Sequence, residues 1–448
     1  MSSKDSHSRF TISMVGPSRI GKTTLITALL EAGQDCFAGT NISLKVPHGT
    51  TTEKRVSLNR RELDAHIRSR SFDPGGIRGT SELFVYELLL DPRVPGYETE
   101  INVVDFPGGW LDPTRRPDGV NWQKVLEYIK ASSVLAVPID ATVLMEANHN
   151  THRGSWPHLL LTGEVREVVR EWAKCRAEFE NHTRKVFLES VADYVLEYAR
   201  QHLSQNKWAE LHRKLIAELP SIENDLKRTM GVPAILVLAP LKCESYFPDA
   251  AAPKDEPRSG VCNLWRTTRL RETPKELRRR VDDLYGDIME TARSEYKKAE
   301  VLYCAIDSIG CVELESSKWE KQDDGYYLHC RYRVRPPYKR VPRMADILIR
   351  LIAYNFVKWQ TERSKALQLY YSRLQDLTTS LRPTGGLSWL WAWVTGDLSK
   401  IDTLKKTTEV LSETEQGYLQ TLFQRLNELG DIDRYMDDNP TRCCFLSR

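Results

Sequence analysis

The chain lacks several features that mark specialised classes of protein. Its 64 Lys and Arg residues are nearly balanced by 61 Asp and Glu residues, which leaves a formal net charge of +3 over 448 residues. Proteins that bind nucleic acid usually carry a stronger basic excess, so we expect no nucleic-acid partner. No run approaches the ~20 apolar residues of a membrane-spanning helix. The N-terminal MSSKDSHSRF is polar and lacks the apolar core of a signal peptide.

Cysteine pairs are lacking as well. Nine cysteines are scattered without a C-x-x-C pair, and the adjacent Cys443 and Cys444 suit neither a zinc knuckle nor an ordinary disulfide. Without a secretory signal, this pattern predicts reduced thiols in a cytoplasmic protein. The composition is that of an ordinary globular protein, 41% hydrophobic and 28% charged. The length is sufficient for about three domains.

A phosphate-binding motif lies close to the N-terminus. The apolar run Phe10–Val15 predicts a buried strand, residues 16–23 read GPSRIGKT, and a helical pattern follows. Strand, G-x-x-x-x-G-K-T loop and helix are the parts of a P-loop, whose backbone N–H groups and helix N-terminus surround phosphates. We therefore predict that a nucleotide is bound by Gly16, Ser18, Arg19, Ile20, Gly21, Lys22, Thr23 and Thr24.

A second landmark would complete the phosphate end of the site. An apolar strand ends at Asp105, and D-x-x-G continues to Gly108. In Ras-like GTPases this Asp holds Mg²⁺ and this Gly N–H senses the γ-phosphate. Lys22 would reach the β- and γ-phosphates, and the Thr23 hydroxyl would ligate Mg²⁺. A predicted strand from Glu82 to Leu90 would form a hairpin with the Asp105 strand, as the Ras-like fold has in this place.

A further Mg²⁺ ligand is expected from a threonine that responds to the γ-phosphate. Thr80 is our first choice because it lies just before the predicted hairpin. The run Thr50–Thr52 remains a competitor, since it lies closer to the P-loop in sequence. A cap at a helix or strand end is the structural alternative for either threonine.

Base recognition is predicted from two later segments. The apolar strand Pro233–Ala239 is followed by Lys242 and Glu244, a degenerate form of the N/T-K-x-D signature of GTPases. The Lys stem would cover the base, and the carboxylate would accept hydrogen bonds from guanine N1 and N2. Ser308 follows another apolar strand, in the place of the loop whose backbone contacts the base. We therefore favour guanine over adenine, with an ATP-using enzyme as the alternative.

The group that orients the attacking water is harder to identify. Ras has Gln after D-x-x-G, whereas this chain has Gly109. Arg19 and Arg78 could offset charge on the γ-phosphate, although we favour the interpretation that both make ordinary phosphate or surface contacts. We expect slow GTP hydrolysis by the isolated chain. The residues expected to act on the phosphates during hydrolysis are Lys22, Arg19, Thr80 and Gly108.

These motifs resemble those of the YcjX-like GTPases, bacterial members of the TRAFAC class of P-loop NTPases. The similar pieces are GPSRIGKT, IRGTSEL, VVDFPGGWLD and LKCE, and VLAVPIDATVLME resembles a strand of GTPases from bacterial conflict systems. The resemblance covers roughly residues 10–140 and 232–310. It implies a Ras-like α/β domain that binds GTP or GDP with Mg²⁺ and acts in bacterial stress or phage response. Leu241, Glu244 and Gly109 depart from the GTPase pattern.

The remaining sequence predicts mostly helices. We expect a GTPase domain in two parts, residues 1–140 and 231–310, which are separated by a helical insertion at 141–230 and followed by a hairpin and helices at 311–448. The insertion could act as an effector lever or as the surface of a nucleotide-dependent dimer. A capping box from Thr273 to Glu276 predicts a helix start in the second part.

Two smaller features have competing interpretations. His149 and His152 have a spacing that could bind a metal, although a solvated loop is the simpler interpretation. The tryptophan-rich segment Trp389–Trp393 could contact a membrane, as in dynamin-like GTPases, or fold back onto the protein. The leading hypothesis is a nucleotide-controlled switch that acts on a protein effector or activator.

Overall fold

The computed structural model describes residues 8–72, 79–95, 97–147, 152–247, 272–322, 325–373 and 412–446. Its strands are β1 (Ser8–Met14), β2 (Ser43–Lys45), β3 (Ser71–Phe72), β4 (Phe84–Asp91), β5 (Thr99–Asp105), β6 (Val134–Asp140), β7 (Ile235–Leu241), β8 (Glu300–Cys304), β9 (Val312–Gln322), β10 (Gly325–Val334) and β11 (Cys443–Phe445). Its helices are α1 (Lys22–Cys36), α2 (Thr51–Arg68), α3 (Trp122–Ala131), α4 (Ala141–Met145), α5 (Trp156–Leu160), α6 (Thr162–His202), α7 (Gln205–Thr229), α8 (Thr273–Glu295), α9 (Ile347–Arg373), α10 (Glu413–Leu429) and α11 (Ile432–Asp438).

An eight-stranded, mostly parallel sheet organises the α/β fold, with the order β11-β8-β7-β6-β1-β5-β4-β2. Strand β4 runs antiparallel to β5, and the two edge strands β2 and β11 are antiparallel to their neighbours. Strands β6 and β7 are nearly continuous apolar runs because helices cover both faces of the sheet. One face packs on α1, α9 and α10, and the other packs on α3, α8 and the first part of α6.

The predicted hairpin before D-x-x-G is confirmed, since β4 and β5 pair along their length. The segment predicted as a helical insertion is helical in its described residues, and it leaves the sheet intact: Val134 of β6 lies opposite Ile235 of β7. The first part of α6 packs on the sheet, where Trp172 donates to the Ser132 carbonyl at 2.8 Å. The second part forms a separate apolar cluster with α7.

One predicted helix cap differs from the structure. Helix α8 begins at Thr273, but its N-cap residue is Glu272, and the Thr273 hydroxyl donates to the Tyr246 carbonyl at 2.6 Å. The predicted capping box is therefore wrong, because a tertiary acceptor takes the hydroxyl. The helices predicted within residues 311–448 are described as α9, α10 and α11, and the tryptophan-rich segment lies outside the described residues. No helix in the described part of the chain is both long and apolar enough to cross a membrane.

A second, three-stranded sheet has the order β3-β10-β9. Strands β9 and β10 form a long antiparallel hairpin that includes the predicted segment 326–334. The short strand β3 pairs with β10 through Phe72 opposite Tyr332. An apolar cluster joins this sheet to α2 and to the segment after β8.

The segment around Arg442 closes the sheet at the β8 edge. Its guanidinium pairs with the Asp307 carboxylate at 2.8 Å, and both side chains are almost fully buried. The same guanidinium lies 4.0 Å from the ring centroid of Phe247. Arg442 therefore fixes the chain that follows β8, which carries Ser308.

Removing the Arg442 charge should destabilise the fold strongly. In Arg442→Met the guanidinium beside the buried Asp307 carboxylate is lost, and breaking a buried pair typically costs about 3–5 kcal/mol. Urea unfolding gives the free energy of unfolding. The control is Arg279→Met, which removes an exposed pair with Glu276 of the kind that contributes about 0–1 kcal/mol. Equal losses in the two variants would contradict a structural role for Arg442.

Candidate nucleotide site

A cavity of about 460 Å³ lies beside the P-loop. This volume is within the usual range for small-molecule sites. The cavity walls include most residues predicted from sequence, and these come from five separate segments of the chain. They are Ser18, Arg19, Ile20, Gly21, Lys22, Thr23, Thr24, Thr80, Gly108, Lys242, Glu244 and Ser308. Gly16 and Asp105 adjoin the cavity through contacts with Lys22 and Thr23.

The backbone conformation of the P-loop accounts for the glycine at position 21. Gly21 has φ of 107°, a left-handed conformation that glycine adopts without strain, and α1 begins at the next residue. The Lys22 ammonium donates to the carbonyl oxygens of Gly16 and Pro17, both at 2.9 Å. Burial lowers the pKa of Lys22, and the nearby Asp105 charge opposes that shift. Phosphate oxygens would give this buried cation charged acceptors in place of neutral carbonyls.

Three oxygen-bearing side chains meet below the P-loop. The Thr80 hydroxyl donates to Asp105 Oδ2 at 2.5 Å, and the Thr23 hydroxyl donates to the same oxygen at 3.2 Å. The two hydroxyl oxygens are 3.1 Å apart. Asp105 is fully buried, and its Oδ1 has no hydrogen-bond partner among the residues that the structure describes. Hydroxyl and carboxylate oxygens are suitable ligands for Mg²⁺, so these residues fit the predicted metal.

The competing threonines have structural partners elsewhere. Thr50 caps α2 and accepts from the Glu53 N–H at 3.3 Å. Thr52 is buried, and its hydroxyl accepts from the Glu87 N–H in β4 at 3.2 Å. Of the two alternatives, the structure brings only Thr80 to Asp105.

The predicted histidine pair does not form a metal site within the described residues. His152 stacks on Trp319, with ring centroids 4.3 Å apart, and His149 lies outside the described residues. No group of three or more His, Cys, Asp or Glu side chains suited to a metal occurs in the described part of the chain.

The D-x-x-G loop packs directly on the P-loop. A Cβ at Gly108 would lie 2.1 Å from the Pro17 carbonyl carbon and 2.2 Å from the Ser18 nitrogen. The N–H of Gly109 donates to the Ser18 hydroxyl at 3.0 Å. Ser18 thus contacts the loop that carries Gly108, in addition to lining the cavity. Arg19 is exposed with φ of 62°, and Arg78 lies outside the described residues.

The base end of the cavity contains two charged side chains. Lys242 forms an ion pair with Asp140 at the end of β6. Glu244 is buried and accepts from the Gly310 N–H at 3.2 Å. Burial, reinforced by the charge of the neighbouring Asp307, raises the pKa of Glu244 to about 8. Burial and the neighbouring charge therefore favour the neutral form of the Glu244 carboxyl more than in an exposed glutamate.

Four apolar wall residues were not predicted from sequence. They are Phe72, Ile309, Val312 and Tyr332. Phe72 and Tyr332 are distant in sequence and become neighbours only because β3 pairs with β10. No motif marks them, so only the tertiary structure reveals their position at the site.

No family model matches this chain, and no curated protein sequence matches it. The resemblance to YcjX-like GTPases therefore stays a prediction that rests on the motifs.

Replacing Gly108 should disturb the loop far more than replacing Gly109. An alanine Cβ at 108 would overlap P-loop backbone, which cannot move as a flexible side chain would, whereas the nearest atom to a Cβ at 109 is the Ser18 hydroxyl at 3.9 Å. We expect Gly108→Ala to lower the free energy of unfolding by about 1–3 kcal/mol and Gly109→Ala to have little effect. Chemical denaturation of the nucleotide-free proteins tests this. Equal stability of the two variants would show that the loop is not held against the P-loop in solution.

Proposed function

We propose that this protein is a Mg²⁺-dependent, GTP-binding switch with slow GTP hydrolysis. The observation that carries the proposal is the meeting of Thr23, Thr80 and Asp105 below the P-loop, in the wall of the cavity that also contains Lys242 and Glu244. These residues come from segments far apart in sequence. A P-loop motif that arose by chance would not require these three residues to lie together.

The fold supports a Ras-like arrangement. The P-loop follows the central strand β1 and opens α1, so the helix N-terminus faces the cavity. The antiparallel β4–β5 hairpin brings Asp105 beside β1. Both are features that the Ras-like fold requires of a phosphate site.

Each side chain would have a defined role toward the phosphates. The Lys22 ammonium would bind the β- and γ-phosphates, and the Gly108 N–H would report the γ-phosphate. Thr23, Thr80 and Asp105 would hold Mg²⁺, which when bound supplies positive charge between the β- and γ-phosphate oxygens. Gly109 has no side chain to orient water, and its N–H is engaged by Ser18. These features support binding with slow cleavage.

Guanine is favoured because of Glu244. An ionised carboxylate at the base end can accept from guanine N1–H and N2–H, and adenine offers no such pair of donors. The neutral carboxyl could instead donate to adenine N1, which keeps an ATP-using enzyme as the second candidate. The protonation state of Glu244 therefore separates the two candidates.

The helical insertion supports a protein effector or activator. Helix α6 spans 41 residues, or about 60 Å at 1.5 Å per residue, and its second part packs on α7 away from the sheet. Such an arm could carry a nucleotide-dependent contact to a partner or to a second copy. Membrane contact through the tryptophan-rich segment and a role in bacterial stress or phage response stay predictions.

Titration calorimetry with a GTP analogue, GDP and ATP, with and without Mg²⁺, tests the switch directly. We expect guanine nucleotides to bind, and Lys22→Ala to abolish binding. Thr80→Ala should weaken only the Mg²⁺-triphosphate complex, on the order of 10–100-fold as for other disturbed metal sites. Thr52→Ala is the matched control and should leave nucleotide affinity unchanged. If Thr52→Ala causes the selective loss and Thr80→Ala does not, the threonine assignment is wrong.

Guanine binding should release a proton near pH 7. Hydrogen bonds from N1–H and N2–H favour the ionised carboxylate, so GTP should lower the raised pKa of Glu244, and affinity should increase as pH rises from 6.5 to 8.5. Calorimetry in two buffers of different ionisation enthalpy counts the released protons. Glu244→Gln removes the titrating group and should abolish the release. Preferred ATP binding without proton release would support the ATP alternative.

A further inference from the structure

The short strand β3 links the region before Thr80 to the β9–β10 hairpin. Ser71 lies opposite Arg333, and Phe72 lies opposite Tyr332. Among the described residues this pairing covers two positions of β3, and each backbone hydrogen bond there has a net contribution of about 1 kcal/mol. An attachment of this size can form or break in response to a ligand.

Side-chain packing adds to the attachment. The Phe72 ring meets the Tyr332 ring edge-on, with centroids 6.4 Å apart, and meets His66 of α2 at 5.7 Å. Leu63 and Ile67 of α2 belong to the same buried cluster. Because Phe72 and Tyr332 also line the nucleotide cavity together with Thr80, the attachment lies in the wall of the proposed phosphate and metal site.

The hairpin touches the other functional parts as well. At the base end, Leu314 N–H donates to the Ser245 hydroxyl at 2.9 Å, next to Glu244. At the insertion, the Trp319 indole N–H donates to the Glu146 carbonyl at 3.0 Å, and Tyr326 N–H donates to the Ser155 hydroxyl at 3.3 Å. One hairpin thus connects the Thr80 side of the cavity with the base end and with the helical insertion.

We infer that pairing of β3 with β10 positions Thr80 for Mg²⁺ and the γ-phosphate, and that the hairpin transmits this state to the insertion. Ser71 and Phe72 are positioning residues in this scheme, since they act through Thr80. The inference rests on the proposed function. By reciprocity, a triphosphate that draws Thr80 to the metal must strengthen the β3–β10 pairing by the same factor by which that pairing strengthens triphosphate binding.

Hydrogen exchange on the full chain tests the inference. With Mg²⁺ and a non-hydrolysable GTP analogue, the β10 amides at Tyr332 and Arg333, which lie opposite β3, should exchange about tenfold more slowly than with GDP, the factor that corresponds to roughly 1.4 kcal/mol. Ser71→Pro removes an N–H from the edge strand and should abolish this difference. It should also lower the preference for triphosphate over diphosphate about tenfold, with GDP affinity unchanged. A purely structural role would change both affinities together.

Matched substitutions at the same position separate the effect of lost strand pairing from the effect of misfolding. Ser71→Val favours a strand and should keep the difference, whereas Ser71→Gly weakens a strand and should reduce it. If the β10 amides exchange equally with both nucleotides, or if the difference survives in Ser71→Pro, the inference is wrong. Hydrogen exchange at residues 16–24 distinguishes a failure of the β3 inference from a failure of the proposed function. Nucleotide protection there with an unresponsive β10 overturns only the β3 inference, and no protection there overturns the proposed function as well.

Discussion

The buried carboxylate of Asp105 is the contact on which the arrangement of the site depends. A fully buried charge is costly unless hydrogen bonds and opposite charge compensate it. Thr23 and Thr80 donate to one oxygen of Asp105, and the Lys22 ammonium interacts electrostatically with the same carboxylate. Helix α1, strand β5 and the chain before β4 are therefore held together by one group. The other oxygen lacks a hydrogen bond within the described part of the chain, and a cation at this place would complete its compensation.

Two neighbouring buried carboxyl groups, those of Glu244 and Asp307, influence the charge at the opposite end of the cavity. Asp307 raises the pKa of Glu244, whereas the Arg442 charge lowers it. Arg442 belongs to the segment just before β11, far from every nucleotide motif in sequence. Burial is the main cause of the raised pKa of Glu244, and Arg442, which precedes the edge strand β11, partly offsets it. A carboxyl balanced between two charge states can respond to the base that binds, because hydrogen bonds from the base select one of those states.

Local patterns predicted the elements whose residues are contiguous. The P-loop, the β4–β5 hairpin and the helical insertion each follow from one stretch of sequence. The capping box at Thr273 failed because the Tyr246 carbonyl, which is remote in sequence, competes for the same hydroxyl. Thr80 and Thr52 could not be separated, since the choice depends on how α2 packs against β4. Phe72 and Tyr332 carried no signal, because strand pairing alone brings them to the cavity.

The contact between the two glycine-rich loops bears on why the site would favour sensing over cleavage. Gly108 packs on the P-loop so closely that a single methyl group would overlap the backbone, and the Gly109 N–H is held by Ser18. A γ-phosphate that engages the Gly108 N–H must compete with these contacts. Part of its binding energy would then be used to shift the loop, which lowers triphosphate affinity but makes the loop position depend on the γ-phosphate. Since Gly109 also lacks a side chain to orient water, the loop of the proposed switch would be better suited to report a triphosphate than to accelerate its hydrolysis.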